Sequence, residues 1–406
     1  MYLKLAFKNI FRNKVRSAIT LGAIAFGCLS LIITGGFIED TFTMMRESYI
    51  RSFLGHMQVY KQDFYEKGSA TPYDYMIPDY KEISKKIKEV DGVSHVTPRL
   101  DFSGLLSIGE TTISFIGQGI DPEGEALIST SVKMDKGQGL SAGDSFDTIL
   151  GRGLAKAVGV EPGSSVIVVT NTISGAMNGL DLNVKGIFST SSKAFDDRAL
   201  RMPLKTAHRL LRTDQVQSLV VLLDKTEDTD RVKAALQKRF KEDGDGLEVI
   251  TWYEMADFYN KTVELYNRQF FVLKLIIGIV VVLSIFNTMN MSVMERVGEV
   301  GTIMALGTRR SGVVRLFILE GLILGVLGGL IGVVSGYILA NIISYIGIPM
   351  PPPPGATMSW TATIGVVPKV FVFVFVLAIV TSLFSSVYPA LKASKLEISE
   401  ALRHNV

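Results

Sequence analysis

The chain has one cysteine, Cys28, in 406 residues. No intrachain disulfide can form, and no CxxC redox or zinc motif is present. The four histidines, His56, His95, His208 and His404, are scattered, with no HExxH and no close pair, so no metal site is expected. No GxxxxGK(S/T) phosphate loop occurs, which leaves nothing to bind ATP on this chain. GxSxG and other catalytic constellations are missing too, so an enzyme is not expected. Charge is scarce, at 20% of residues, against about 25% in a soluble domain. What is plentiful is apolar: 48% of residues are hydrophobic and the mean hydropathy is +0.32. These values exclude a disordered or collagen-like chain and an ordinary cytosolic enzyme. They indicate a membrane protein with a sizeable water-exposed part, and the length suits two or three domains.

The net charge of +3 conceals an asymmetry. Residues 39–269 carry 28 Lys+Arg and 34 Asp+Glu, a net −6, leaving 42 − 28 = 14 bases and 39 − 34 = 5 acids elsewhere, a net +9. The basic charge therefore borders the apolar segments, as residues facing a cytoplasmic leaflet do. The mildly acidic middle reads as a soluble domain whose acids solvate its surface, and nothing asks for nucleic acid.

Ser17 to Ile38 is 22 residues without a charge, about 33 Å of helix and enough to cross a bilayer. Leu275 to Met294 is a second uncharged stretch, and Gly321 to Pro368 is uncharged for 48 residues, too long for one span. Pro349 and the run Pro351 to Pro354 break it. Four spans are expected, over 17–40, 269–292, 313–346 and 368–391. Lys4, Lys8, Arg12, Lys14 and Arg16 precede the first; Arg296, Arg309, Arg310 and Arg315 lie between the second and third; Lys392, Lys395 and Arg403 follow the fourth. The positive-inside rule puts both termini and the 2–3 loop in the cytoplasm and the large middle domain outside. The first span reads as an uncleaved anchor: it is long for a signal h-region and no AxA site follows.

Residues 41–54 and 253–269 keep apolar positions at helical spacing and read as stalks. Between them, helix–turn–strand order occurs twice: a helix over 79–90 with a strand over 93–98, and a helix over 229–240 with a strand over 246–252. Another strand is expected over 218–223. This suggests two similar α/β layers packed together. A β-rich insertion, about 102–200, separates them, with strands over 111–116, 165–170 and 182–187 and one short helix over 153–158. The fold class is an α+β membrane protein, four transmembrane helices with a large extracytoplasmic α/β plus β-rich domain between helices 1 and 2.

The 2–3 loop is too long and too apolar for a plain connection. Ile303, Met304 and Leu306 want burial, amid Glu295, Arg296, Glu299, Arg309 and Arg310 and the glycines Gly301 and Gly307. It reads either as an amphipathic interfacial helix or as a short helix that plugs into a cytoplasmic partner. The third span carries Gly321, Gly325 and Gly329, then Gly328, Gly332 and Gly336, overlapping GxxxG series that let helix backbones approach. Glu320 reads as a partner for Arg315 or Arg296.

Several segments resemble the permease subunits of the MacB, lipoprotein-releasing (Lol) and FtsX superfamily of ABC transporters, over nearly the whole chain. LAFKNIFRNKVRSAITLGAIAFG resembles the family's basic elbow helix and first span. Gly55-His56-Met57-Gln58-Val59-Tyr60 is similar to the GHIQI-type first strand of the Lol branch. ILGRGLAKAVGVEPGSSVIVV and VKGIFSTSSKAFDDRALRMPLKTAHRLL resemble two further family segments. ERVGEVGTIMALGTRR resembles the coupling helix, and YPALKASKLEISEALR the family's ending, with Ile398 in place of the usual proline. Ser164 stands where the family often has Asp.

The resemblance implies an elbow helix over 1–16, an extracytoplasmic domain over 41–268, a coupling helix over 293–312, a short outer loop over 347–367 and a tail over 392–406. It implies a separate ATPase dimer that carries ATP and Mg and binds Glu295, Arg296, Glu299, Gly301, Met304, Leu306, Gly307, Arg309 and Arg310. A second permease copy or a paralogue would face the second ATPase. In the Lol-type reading, lipidated protein passes from the outer leaflet through a gate at Phe37, Met44, Phe270 and Ile277 to a periplasmic chaperone. An exporter of peptide or drug with a fusion protein, or a regulator of a cell-wall hydrolase, remain open alternatives.

Overall fold

The computed structural model describes residues 2–68, 71–351 and 360–395. Ile398, the C-terminal motif from residue 396 onward and prolines 352–354 lie outside the described residues. The chain divides into two compact units: Met1–Thr43 with Thr262–Pro349 and Thr361–Val406, and Met44–Lys261 with Met350–Trp360. The division falls within two long helices, Lys14–Tyr49 and Asp257–Glu295.

The first unit holds helices long and apolar enough to cross a membrane: Lys14–Leu54, Asp257–Glu295, Arg310–Ile346 and Pro368–Ser394, here spans 1 to 4. A helix satisfies its backbone hydrogen bonds internally, as hydrocarbon requires. Two short helices accompany them, the N-terminal helix Tyr2–Arg12 and the interspan helix Val297–Ala305. The glycines of span 3 divide between two neighbours. A Cβ at Gly321, Gly325 or Gly329 would stand 2.6, 2.7 and 3.1 Å from Ser386, Ser382 and Phe375 of span 4. At Gly328, Gly332 and Gly336 it would stand 2.8, 2.5 and 3.1 Å from Ile24, Cys28 and Ile32 of span 1. Span 3 is thus wedged between spans 1 and 4, one glycine series against each.

The second unit is built on strands β1 Met57–Lys61, β2 Val93–Ile108, β3 Thr111–Ile120, β4 Lys133–Gly137, β5 Asp147–Gly151, β6 Ser165–Asn171, β7 Met177–Ser189, β8 Ala199–Pro203, β9 Ser218–Leu223 and β10 Leu247–Thr251. Strands β10-β1-β9-β2 form an antiparallel run. Helix Tyr80–Lys88 links β1 to β2, and helix Thr229–Asp243 links β9 to β10, a split βαβ arrangement. Ile87, Val232, Leu236 and Phe240 of these helices share a core with Val96, Val221 and Val249 of the sheet. The two halves are therefore not separate layers, as their repeated order suggested. β9 inserts between β1 and β2, and both halves complete one sheet.

Beyond Pro98, β2 continues into a second structure. Its far half pairs with β3 on one edge and, at Leu105–Ser107, with β6 on the other. The pairings β3–β8, β8–β5, β5–β7 and β7–β6 complete the circuit. The result is a closed six-strand barrel, β2-β3-β8-β5-β7-β6, inserted into the split βαβ sheet. Leu106, Phe115, Leu150, Val168, Leu182 and Leu200 belong to its core.

Candidate functional site

Span 2 ends at Glu295, and Arg296 (φ −114°, ψ 16°) breaks the helix before it restarts at Val297. The interspan helix buries Val297, Val300, Gly301 and Met304, an i, i+3, i+4, i+7 stripe that fixes which face turns inward. Gly307 ends it with φ +97°, a conformation that favours glycine.

An ion network fastens this helix in place. Arg296, 5% exposed, donates to Glu320 of span 3 at 2.8 Å and stacks 5.5 Å from the Phe317 ring centroid. The Asn9 amide donates to the same Glu320 oxygen at 2.6 Å. Arg296 also reaches Glu299 at 3.2 Å, and Arg12 of the N-terminal helix meets Glu299 at 2.6 Å. Partial burial acts to raise the Glu299 carboxyl, but Arg12 and Arg296 outweigh it and hold it below its ordinary range. Arg16 pairs with Glu295.

The residues expected to meet a partner therefore fall into three groups. Arg296, Gly301 and Met304 are buried within the unit. Glu295 and Glu299 are exposed but held by Arg16 and Arg12. Leu306, Gly307, Arg309 and Arg310 are exposed, Leu306 by 84%. The free surface is thus the C-terminal end of the interspan helix and the turn after it. Asn9, Arg12 and Arg16 were not singled out from sequence as members of this site. Their spacing along the N-terminal segment was the available signal, but they read as charges for the membrane surface.

The expected gate residues are all partly buried. Phe270 and Ile277, two turns apart on span 2, pack on glycines of span 1: a Cβ at Gly35 would stand 3.1 Å from Phe270, and one at Gly27 3.2 Å from Ile277. Ile277 also lines a small apolar cleft among spans 1, 2 and 4, with Gly27, Cys28, Val281, Leu377 and Thr381. Lys274 lies 4.8 Å from the ring centroid of Phe270 and 5.2 Å from that of Phe373. Phe37 and Met44 lie two turns apart on the helix Lys14–Tyr49.

Residues 17–239 match the profile of the MacB-like periplasmic core domain, and residues 271–398 that of the FtsX-like permease C-terminal domain. The macrolide export ATP-binding/permease protein MacB of Chlorobium luteolum is 24% identical over 99% of this chain, which spans 60% of that relative's length. The lipoprotein-releasing system transmembrane protein LolC of Neisseria meningitidis is 25% identical over 83% of this chain and 80% of its own. An uncharacterized ABC transporter permease of Methanocaldococcus jannaschii is 23% identical over 98% of this chain and 96% of its own. Among solved structures, the periplasmic region of MacB from Actinobacillus actinomycetemcomitans covers 53% of this chain and 95% of its own, at 15% identity and a TM-score of 0.37. With one profile spanning more than half of its residues and the second taking up the C-terminal helices, the chain belongs to the MacB, Lol and FtsX superfamily of ABC transporter permeases.

Proposed function

We propose that the chain is the membrane subunit of a mechanotransmission ABC transporter that lifts lipidated protein, or a lipid-like substrate, from the outer leaflet of the inner membrane. A separate ATPase dimer binds ATP and Mg, and this chain carries no cofactor of its own. Both termini and the interspan helix face the cytoplasm and the barrel-bearing unit faces the periplasm, following the bases that border the spans. The observation that carries the reading is the interspan helix. Its buried stripe and ion pairs tie it to the N-terminal helix and span 3, while Leu306, Arg309 and Arg310 stay exposed. A push on that exposed end is passed directly to the spans.

Two chains, identical or paralogous, face the two ATPase subunits. Span 2 supports this: only 11% of its apolar window is buried within the chain, against 50% for span 1. Phe271, Leu275, Ile279 and Leu283 remain exposed along it. Acyl chains, which gain about 0.8 kcal/mol per buried CH₂, enter beside Phe270 and Ile277, and a periplasmic lipoprotein chaperone receives the substrate.

A photo-crosslinking side chain at Phe270 tests the reading in cells. It should capture lipidated protein without ATP turnover and release it on ATP addition to isolated membranes, while the same probe at Val333 of span 3 captures little. Equal capture at both positions, or macrolide-stimulated ATPase activity with no lipoprotein capture, refutes the lipidated substrate. The second outcome points instead to an exporter.

A further inference from the structure

The end of the span 1 helix is gripped by a buried charged socket in the second unit. Past Tyr49 the helix changes pitch, and Ile50–Leu54 form a π-helical turn, a rare geometry found mostly at functional positions. Helix ends leave carbonyls without partners, and those carbonyls carry the negative end of the macrodipole. Here each of the five is met. Ile50 O accepts from Gly55 N at 2.9 Å, and Arg51 O from Ser131 N at 2.9 Å. Ser52 O accepts from Ser129 Oγ at 3.0 Å and from Arg201 at 3.2 Å. Phe53 O accepts from Arg99, and Leu54 O from Gln58 at 2.9 Å.

Apart from Gly55, these donors come from β1, β2, β8 and the loop after helix Pro122–Ile128, so both the split βαβ sheet and the barrel hold the helix end. Arg99 and Arg201 are each 1% exposed. Glu125 joins them, accepting from Arg99 at 3.0 and 2.5 Å, from Ser129 at 2.5 Å, and lying 3.5 Å from Arg201. Burial acts to raise the Glu125 carboxyl, but the two guanidiniums outweigh it and bring it to about 2, so it stays ionised. Phe53 stacks on Phe195 at 5.3 Å, and Arg201 lies 5.3 and 5.7 Å from the ring centroids of Phe188 and Phe195.

A helix that only had to hand over to β1 needs little more than Gly55, whose φ is +67°. Burying two guanidiniums and a carboxylate there is costly, and apolar packing would hold such a junction at least as firmly. What the charges add is direction: donors fixed on two substructures converge on one helix end, and none can slide without losing its partner. We infer that Arg99, Glu125 and Arg201 form the joint that makes the span 1 helix end and the β domain move as one piece. The three are positioning residues, and the inference rests on the mechanotransmission reading above.

The test uses the full chain with Cys28→Ala in lipid nanodiscs together with its ATPase partner. Spin labels sit at Ser48, on the helix, and Ser174, on the β6–β7 hairpin. The parent should give one narrow distance, nucleotide-free and with ATP trapped. Arg201→Met should add a second distance population while Trp252 fluorescence stays native, and Arg201→Lys, which restores a donor, should remove it. If Arg201→Met does not fold, Ser129→Ala should still produce the second population. A single distance in every variant, or spread accompanied only by loss of the Trp252 signal, overturns the joint. If the chain binds no ABC ATPase at all, the transporter reading falls, whereas the nucleotide-free distances still decide whether the joint exists.

Discussion

Neutralising Glu320 probes the anchorage of the interspan helix. Its carboxylate and the Arg296 guanidinium have side chains 4% and 6% exposed and meet at 2.8 Å. In Glu320→Gln the shape survives, but the buried cation faces a neutral amide. Breaking a buried pair from one side costs about 3–5 kcal/mol. Glu299 remains 3.2 Å from Arg296, with a side chain 46% exposed, so the lower end, about 3 kcal/mol, is expected. Arg296→Met leaves Glu320 with the Asn9 amide and should cost a similar amount. Arg296→Met/Glu320→Gln removes both charges and should cost less than the two singles added together, by about 2 kcal/mol. The assay is unfolding of the full chain in mixed micelles by SDS titration, read by helical circular dichroism. Strict additivity, or a single-variant cost below about 1 kcal/mol, would refute the anchorage and remove the main support for a rigid ATPase-docking end.

Three further outcomes follow from the same geometry. Gly332→Leu should destabilise the chain by about 2–3 kcal/mol through overpacking, because even a Cβ would lie 2.5 Å from Cys28 Cβ and 2.8 Å from Ala25 O; Gly22→Ala, with nothing within 4 Å, is the neutral control in the same titration. His56 is buried, its Nδ1 accepts from Leu223 N at 3.0 Å, and burial lowers its pKa to about 4. Its folded pKa lies below the unfolded one, so its contribution is full above pH 6.5 and is lost as pH falls from about 6.5 toward 4, about 3 kcal/mol in all. Urea unfolding followed by Trp252 fluorescence should show that slope, and His56→Gln should flatten it. Leu306→Glu should abolish co-purification with the ATPase while leaving the unfolding midpoint unchanged, since the side chain is 84% exposed; retained association would relocate the docking surface.

The four long apolar helices were legible because a run of 20 or more residues without charge is long enough for a helix that can cross a bilayer. The strands of the second unit were legible as local patterns, but their assembly was not. Pro98 looked like the end of a strand, since proline removes a ladder donor. In the fold β2 runs through it: Pro98 pairs with Leu219 of β9, and pairing with β3 begins only at Arg99. The missing N–H falls where that edge has no neighbour, and the strand continues from sheet into barrel. Likewise, β9 entering between β1 and β2 is a non-local event that repeated helix–strand order cannot announce.

Charges were the least legible feature, because a sequence gives sign and spacing but not partners. The acids of the middle domain read as solvating its surface, and nothing in the sequence singles out Arg99, Glu125 or Arg201, which are buried together. The five bases before span 1 read from sequence as facing the cytoplasmic leaflet. Two of them pair with acids close to 300 residues away: Arg12 with Glu299 and Arg16 with Glu295, at separations of 287 and 279. Lys4, Lys8 and Lys14 remain exposed. The positive-inside expectation therefore rests on fewer unpaired bases before span 1 than the sequence counts. Arg12 and Arg16 each neutralise an acid beside the interspan helix, and among the described residues Arg309 and Arg310 make no ion pair at its exposed end. The pairs that weaken one basic cluster thus concentrate positive charge at the docking surface proposed for the ATPase, where an acidic groove on that partner would be its complement.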